Sequence, residues 1–515
     1  MAFRPSNPSY PLANQGDKHA RPSLCRSVCI MQQNITDIAY LIPELILLFT
    51  FGAMLTADQF LKRGRKKPIA VMGIAGMGLL LVSLWMQSAG LAETGPVYIF
   101  SRMMVVDPFS IYFKWIFALT TMLTLFFAMR SKEIEKQNEG EFYTLTVFVC
   151  LGMSFLCSST HLLMIFLSFE MISIISYVLA GYLRGDPRSS ESGIKYMIYG
   201  AFTSGIMIYG MSMLYGLTGS LEFHEIHDAL QGARGGIVPV TVVLIMISSG
   251  MLYKIAAAPF HMWSPDVYQG APTVATAFFS VGPKAAGFAV FLRFLITAFG
   301  SGSDVDWHRI IEILSIVTMT IGNYTALRQE NVKRMLAYSS IAQAGYLLMG
   351  LAVLHEGGRV AMLFYLAVYM IMNMGAFLVV LALENTIQSA ELKDYRGIGL
   401  KAPLAAAALV IFLVSLAGLP PTAGFVGKFF LFKAVIEQKL YIFALIGVLN
   451  SVVSLVYYFK VVKAMYLEHD PDSVPGRIRI SPLYAVLLVI LVLPVIYLGL
   501  FFQPMYELSI KAVFG

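Results

Sequence analysis

Four ionisable side chains stand alone deep in apolar stretches of this 515-residue sequence. Glu170 is the only acidic or basic residue in 162–183. Lys254 is the only Lys, Arg, Asp or Glu between Arg234 and Asp266, Lys284 stands alone between Asp266 and Arg293, and Lys428 between Lys401 and Lys433. A charge at the centre of a bilayer costs about 2.5–3.5 kcal/mol on insertion scales, so such residues usually face a bundle interior and serve a pathway. Burial lowers a lysine pKa and raises a glutamate pKa, bringing both towards neutrality, where they gain and lose protons. A nearby opposite charge pushes the other way, so moving a partner can load or unload a proton. That is the chemistry of a proton relay.

Other charged residues have plainer readings. Lys195 opens an apolar span just after Glu191 and reads as an interfacial anchor. Lys114 and Lys460 read as snorkelling residues. Glu44 and Asp107 lie near span starts and read as helix caps or contacts to a neighbour. His261 is either a satisfied core histidine or a pH-tunable relay member.

The elements that must hold these residues follow from composition. The sequence is 57% hydrophobic and 13% charged, about half the charge of a soluble domain. Lipid is the solvent such a surface needs. A membrane helix needs about 20 mostly apolar residues. Spans are expected near 38–58, 68–88, 107–129, 142–158, 161–183, 194–217 and 236–258, then near 272–299, 308–327, 335–354, 360–383, 402–419, 440–466 and 482–503. The reading is an all-α polytopic membrane protein of about fourteen transmembrane helices. A short apolar piece, 421–435, continues its span as a half-helix.

Every second loop is basic, as with Lys62, Arg63, Arg65, Lys66 and Lys67, or Arg130, Lys132 and Lys136, or Arg328, Lys333 and Arg334. By the positive-inside rule these loops face the cytoplasm, which puts Met31 and Gly515 both on the outer side. Residues 1–30 differ from the rest, being polar and without an apolar core, so they are not a signal peptide. They read as a disordered tail or a mis-assigned start.

Two spans are broken. Lys254 is followed by Pro259, Pro265 and Gly270, and Lys428 follows Gly418, Pro420, Pro421 and Gly424. Proline removes a helix hydrogen bond, and broken backbone survives at membrane depth only where protein or a water-filled cavity surrounds it. Two interrupted spans with a lone lysine each, about 160 residues apart, are the mark of repeated transporter halves. The expected domains are 31–141 with three helices, repeats at 142–299 and 308–466 of five spans each, and a C-terminal helix in 482–515.

Redox, metal and nucleotide chemistry find no site here. Cys25 and Cys29 lack a second pair, Cys150 and Cys157 lie seven apart on one helix face, and Gly427-Lys428 lacks the upstream glycine of a phosphate loop. If electrons or nucleotides matter here, another chain handles them, and no nucleic acid is expected as a partner.

Several stretches resemble the antiporter-like subunits of respiratory complex I. They are Phe169-Glu170-Met171-Ile172-Ser173, Ser192-Gly-Ile-Lys195-Tyr196, the 254–272 run Lys-Ile-Ala-Ala-Ala-Pro-Phe-His-Met-Trp-Ser-Pro-Asp-Val-Tyr-Gln-Gly-Ala-Pro, the 331–346 run, and Gly418-Leu-Pro-Pro-Thr-Ala-Gly-Phe-Val-Gly-Lys428-Phe. The resemblance covers essentially all of 38–503 and is strongest to the N-type subunits of bacterial NADH:quinone oxidoreductase, the counterpart of mitochondrial subunit 2. It implies two inverted five-helix repeats with broken seventh and twelfth helices, and no cofactor in this chain. It implies FMN and iron–sulfur clusters in partner subunits, and quinone bound by the complex. It also implies roles in proton translocation for Glu170, Lys195 as the lysine that pairs with it or tunes it, Lys254 as the lysine loaded and released, His261 and Lys284 as the central relay, and Lys428 at the exit. A multisubunit cation/proton antiporter shares these motifs and is the alternative; a purely structural membrane spacer is a further one.

Overall fold

The computed structural model describes residues 37–62, 64–231, 236–300, 305–353, 355–468 and 478–514. The leader at 1–30, with Cys25 and Cys29, lies outside them, as do Arg63, Arg234 and Arg477. Helices account for nearly all of the described chain.

The first part comprises α1 (Ile42–Phe60), α2 (Lys67–Thr94), a hairpin of β1 (Val97–Ile99) and β2 (Met104–Val106), and α3 (Pro108–Ala128). Next come the short α4 (Lys132–Glu135), α5 (Glu139–Ser158), α6 (Leu162–Ala180), α7 (Pro187–Thr218), the amphipathic α8 (Phe223–Gln231), α9 (Ile237–Ile255), α10 (Trp263–Gly270) and α11 (Thr273–Phe294). The second half holds α12 (Trp307–Ala326), α13 (Val332–Ala352), α14 (Glu356–Ile387), the short α15 (Ile398–Lys401), α16 (Pro403–Ala417), α17 (Ala423–Glu437) and α18 (Tyr441–Tyr466). It closes with α19 (Pro482–Leu500) and α20 (Gln503–Phe514).

Among the described residues, twelve helices are long and apolar enough to cross a membrane. Helix α12 has comparable length but carries His308, Arg309 and Glu312 near its start, and the broken pair α16 and α17 supplies the remaining span. These match the fourteen spans expected from hydropathy. The stretch expected as one C-terminal helix is two, because the chain turns at Phe501 before α20 packs across α3 and α14. The hairpin and α8 were not foreseen; strands of three residues are too short to show an alternating pattern.

Polar side chains at the junctions fix where helices start. Asp107 and Ser110 form a reciprocal capping box at α3, and Asp186, Asp306 and Asn331 cap α7, α12 and α13. Asp107 therefore acts as the expected cap, and it also binds Arg293 of α11 through two bonds of 2.8 and 3.0 Å. The hydropathy windows of α11, α13 and α14 are each 94% buried, against 22% for the span of α1 and 28% for α19. These three helices are the most enclosed of the spans, and neutral polar side chains such as Ser280, Ser340 and Asn373 lie on their faces.

Lys114 does not snorkel. Its Nζ lies 2.7 Å from Glu44 Oε1, and the two side chains are 1% and 2% exposed. Their 70-residue separation hid the pair from sequence reading. Removing one partner of a buried pair strands a charge and costs about 3–5 kcal/mol, whereas replacing both is often neutral. Lys114→Met alone is thus expected to destabilise the chain by about that amount, and Glu44→Gln added to it should recover most of the loss. Heat-induced loss of the chain from gently solubilised membranes measures this. Equal damage in the single and double variants would contradict it.

Candidate functional site

The two broken helices are built alike around their lysines. Helix α9 ends when Ala256, two residues after Lys254, turns left-handed at φ 57° and ψ 42°. In the other break, α16 ends at Gly418, φ 88° and ψ 47°. A Cβ on Gly418 would lie 2.8 Å from Lys428 Cδ, so glycine is needed there for its conformation and for the lysine's approach. Lys428 reaches back from α17 to donate to the carbonyl of Ala417, the last residue of α16, at 3.0 Å. The C-terminus of a helix carries a partial negative charge, and a break in mid-bundle brings that charge to an ammonium where no carboxylate is spent.

Each buried lysine sits among neutral acceptors. Lys254 is 2% exposed and donates to Ser173 Oγ of α6 at 2.8 Å. Glu170, one turn from Ser173, acts on Lys254 through its charge without touching it, and its Oε1 is buried with no hydrogen-bond partner among the described residues. Lys284 is 2% exposed and donates to the carbonyl of Ser340 at 2.7 Å and to Ser340 Oγ. Lys428 is 3% exposed, bonds Ser451 Oγ at 3.1 Å, and lies 4.4 Å from the ring centre of Tyr346.

Helices α9 and α11 meet closely beside these groups. A Cβ on Gly287, one turn from Lys284, would lie 3.3 Å from Lys254 Cβ. His261 lies in the turn between α9 and α10, 8% exposed, with Nδ1 buried and unpartnered. It bonds neither lysine.

Lys195 stands elsewhere. Its Nζ pairs with Glu191 at 2.7 Å and with Asp266 at 2.6 Å, and Asp266 also binds Arg334 Nη1 at 2.6 Å. The pairing with Glu170 that the resemblance implied is not made in this structure. The half-exposed Lys195 instead ties α7 to α10 and α13, closer to the anchor that its position suggested.

Neutral polar residues that the sequence reading did not single out join the lysines. On α13, Ser340, Gln343 and Tyr346 recur three apart on one face, between Lys284 at one end and Lys428 at the other. Tyr369 donates to Ser340 Oγ at 2.9 Å, Gln343 donates to the Leu416 carbonyl at 2.9 Å, and Tyr365 donates to Gln343. Their spacing was the available signal, but hydropathy does not flag uncharged groups.

A second stripe runs along α11. Thr273, Thr276, Ser280 and Lys284 share one face, and the three hydroxyl residues are 0% exposed. Asn373 of α14 donates to Ser280 Oγ at 2.6 Å, and its Oδ1 is buried without a partner. At the N-terminal end of the stripe Thr273 donates its N–H to Glu133 at 3.0 Å and its hydroxyl to Glu384, while Lys333 lies 3.7 Å from Glu384. Burial lifts the Glu133 carboxyl above the usual carboxylate range, with Lys333 opposing and the Glu384 charge adding to the lift. Two carboxylates and one lysine so placed can hold a proton at the membrane surface.

The free thiols Cys150 and Cys157 are buried, consistent with packing as small apolar groups. Among the described residues no cluster of three or more His, Cys, Asp or Glu side chains is arranged to hold a metal ion.

Residues 159–454 match the family described as NADH:quinone oxidoreductase/Mrp antiporter, TM. The chain is 43% identical to NADH-quinone oxidoreductase subunit N 2 of Chloroherpeton thalassium, over 93% of this chain and 95% of that protein. It is equally 43% identical to the Sorangium cellulosum protein of the same name, over 93% and 98%. In structure it resembles a chain of respiratory complex I from Thermus thermophilus, with a TM-score of 0.75, 30% identity, and coverage of 90% of this chain and 99% of that one. A chain of the Mrp complex from Dietzia sp. shares the fold, with a TM-score of 0.82 at 22% identity over 93% of this chain and 97% of that one.

Gln343 is the hub of the polar face. Gln343→Leu strands the Tyr365 hydroxyl and the Leu416 carbonyl, at about 1–3 kcal/mol for each unsatisfied group. The expected outcome is a lower thermal midpoint for the protein in its native assembly. An unchanged midpoint would contradict this account of the face.

Proposed function

This chain belongs to the NADH:quinone oxidoreductase/Mrp antiporter transmembrane family, and on that premise we propose that it is a proton-translocating membrane-arm subunit of an NADH:quinone oxidoreductase. In this reading FMN and the iron–sulfur clusters reside in partner subunits, and the quinone is bound by the complex. The protein sits in the bacterial inner membrane, with basic loops in the cytoplasm and both ends on the periplasmic side.

One observation carries the proposal. Three lysines are buried, Lys284 and Lys428 at the two ends of the Ser340, Gln343 and Tyr346 face and Lys254 where α9 packs on α11, and among the described residues none lies within ion-pair distance of a carboxylate. A purely structural lysine is normally neutralised by a fixed partner, as Lys114 is by Glu44. A lysine held only by hydroxyls and carbonyls can give up its proton without stranding a buried anion.

The proposed sequence starts at the cytoplasmic end. Glu133 and Glu384 take up a proton and pass it along Thr273, Thr276 and Ser280, with water at the unfilled Asn373 acceptor, to Lys284. Lys254 holds its own proton under the influence of Glu170. A change of charge around Glu170, with Lys195 and its partners as the movable neighbours, releases that proton past His261 to Lys284 once Lys284 has passed its own proton on, and Lys254 is reprotonated from the cytoplasmic side before the next cycle. The Ser340, Gln343 and Tyr346 face then delivers it to Lys428, and from there outwards. The two repeats, 142–299 and 308–466, supply one broken helix and one terminal lysine each.

The experiment that tests the proposal is purification of the tagged chain from gently solubilised membranes. Flavin and iron–sulfur absorbance with NADH:quinone turnover are expected to accompany it. A smaller assembly without chromophore would overturn the proposal in favour of cation/proton exchange.

Substitutions at three carboxylates test the mechanism. Glu170→Gln is expected to cut proton pumping about tenfold or more in a fully assembled complex, with Glu170→Asp retaining part of it. Glu133→Gln or Glu384→Gln alone should slow pumping only slightly, because either carboxylate can receive the proton, while the double variant loses about tenfold or more. Pumping in the double variant equal to that in the singles would remove these carboxylates from the path.

A further inference from the structure

At one end of the bundle α3 begins, α11 ends, α14 begins, and α20 crosses beside them. Together they enclose a cleft of about 350 Å³. Part of its wall is apolar, formed by Phe109, Leu292, Ile296 and Val513. Two guanidinium groups also line it.

The first of these is fully engaged. Arg293 binds Asp107 through both terminal nitrogens, donates Nε–H to the Cys157 carbonyl at 3.1 Å, and lies 4.8 Å from the Phe109 ring centre. Asp107 lines the cleft as well, but its charge is matched by this bidentate pair. Arg359 is different. It is half-buried in the first turn of α14, and it has no hydrogen bond or ion pair among the described residues. Glu356, exposed and three residues earlier, and the half-buried His308 of α12 are the titratable groups that interact with it through charge, and neither bonds it.

A guanidinium keeps its charge and offers five N–H donors in a planar fork. Withdrawing it from water without acceptors is costly, so its natural complement is an anion with two oxygens in one plane. The cleft lies where membrane helices begin and end, so an acyl chain can lie against the apolar wall while a headgroup meets the arginine. Its volume is at the low end for ligand sites and suits a headgroup with the first carbons of its chains rather than a whole lipid. Inorganic phosphate would satisfy the arginine and leave the apolar wall bare.

We propose that this cleft binds a membrane phospholipid, with Arg359 holding the phosphodiester and the wall of Phe109, Leu292, Ile296 and Val513 receiving the start of its acyl chains. The site is independent of the proton path and does not depend on its being correct. It fixes the ends of α3, α11, α14 and α20 against one another through a molecule of the bilayer.

The test uses the intact assembly in phosphatidylglycerol nanodiscs, examined by native mass spectrometry and by cryo-electron microscopy. The unmodified assembly is expected to show a phosphate-sized feature within hydrogen-bond distance of Arg359, continuous with chain density along Leu292 and Ile296. Arg359→Gln should lose that feature and retain one phospholipid fewer per copy, while Arg359→Lys keeps it. A cleft that is empty, filled by an acidic side chain of a neighbouring subunit, or occupied only after inorganic phosphate is added would overturn the proposal. So would equal lipid retention by the unmodified and Arg359→Gln assemblies.

Discussion

A lysine can stay inside a membrane protein only if something accepts its hydrogen bonds, and the choice of acceptor decides whether the lysine can work. A carboxylate satisfies the charge and traps it. Carbonyl ends of interrupted helices and serine hydroxyls satisfy the ammonium while leaving the neutral amine tolerable. Lys428 on the Ala417 carbonyl and Lys284 on Ser340 illustrate the second solution, and Lys114 on Glu44 the first. The break at Gly418 meets that need directly, because it frees the Ala417 carbonyl for Lys428, while Lys254 and Lys284 are held by Ser173 and Ser340.

The three most enclosed helices then acquire their polar faces for a related reason. Hydroxyl, amide and phenol groups on α11, α13 and α14 bond one another across the axis, so each is accepted into an apolar interior at little net cost. The result is a lining that is polar throughout and uncharged except at the lysines. Fixed charges gather instead at the ends of the helices, as in the Lys195, Asp266 and Arg334 bridge, where they hold elements together.

How much of this was legible in the sequence depended on the kind of signal. Isolated charges such as Glu170, Lys254, Lys284 and Lys428 stood out because each is expensive, and the prolines and glycines beside two of them announced the breaks. Spans emerged from hydropathy alone, since bilayer thickness sets one length for all of them. Pairings did not emerge: Glu44 and Lys114 are far apart in sequence, and Lys195 meets Asp266 only because α10 folds back against α7. Ser340, Gln343 and Asn373 were equally hidden, because a neutral polar residue costs too little in an apolar run to attract notice.

The account turns on Lys254 as a proton carrier rather than a structural cation. Its most direct test is the number of protons moved per electron by the assembled complex in sealed vesicles, comparing the unmodified protein with Lys254→Met. The account predicts normal assembly with pumping reduced about tenfold or more. A Lys254→Met complex that turns over NADH and pumps as many protons per electron as the unmodified one would contradict it.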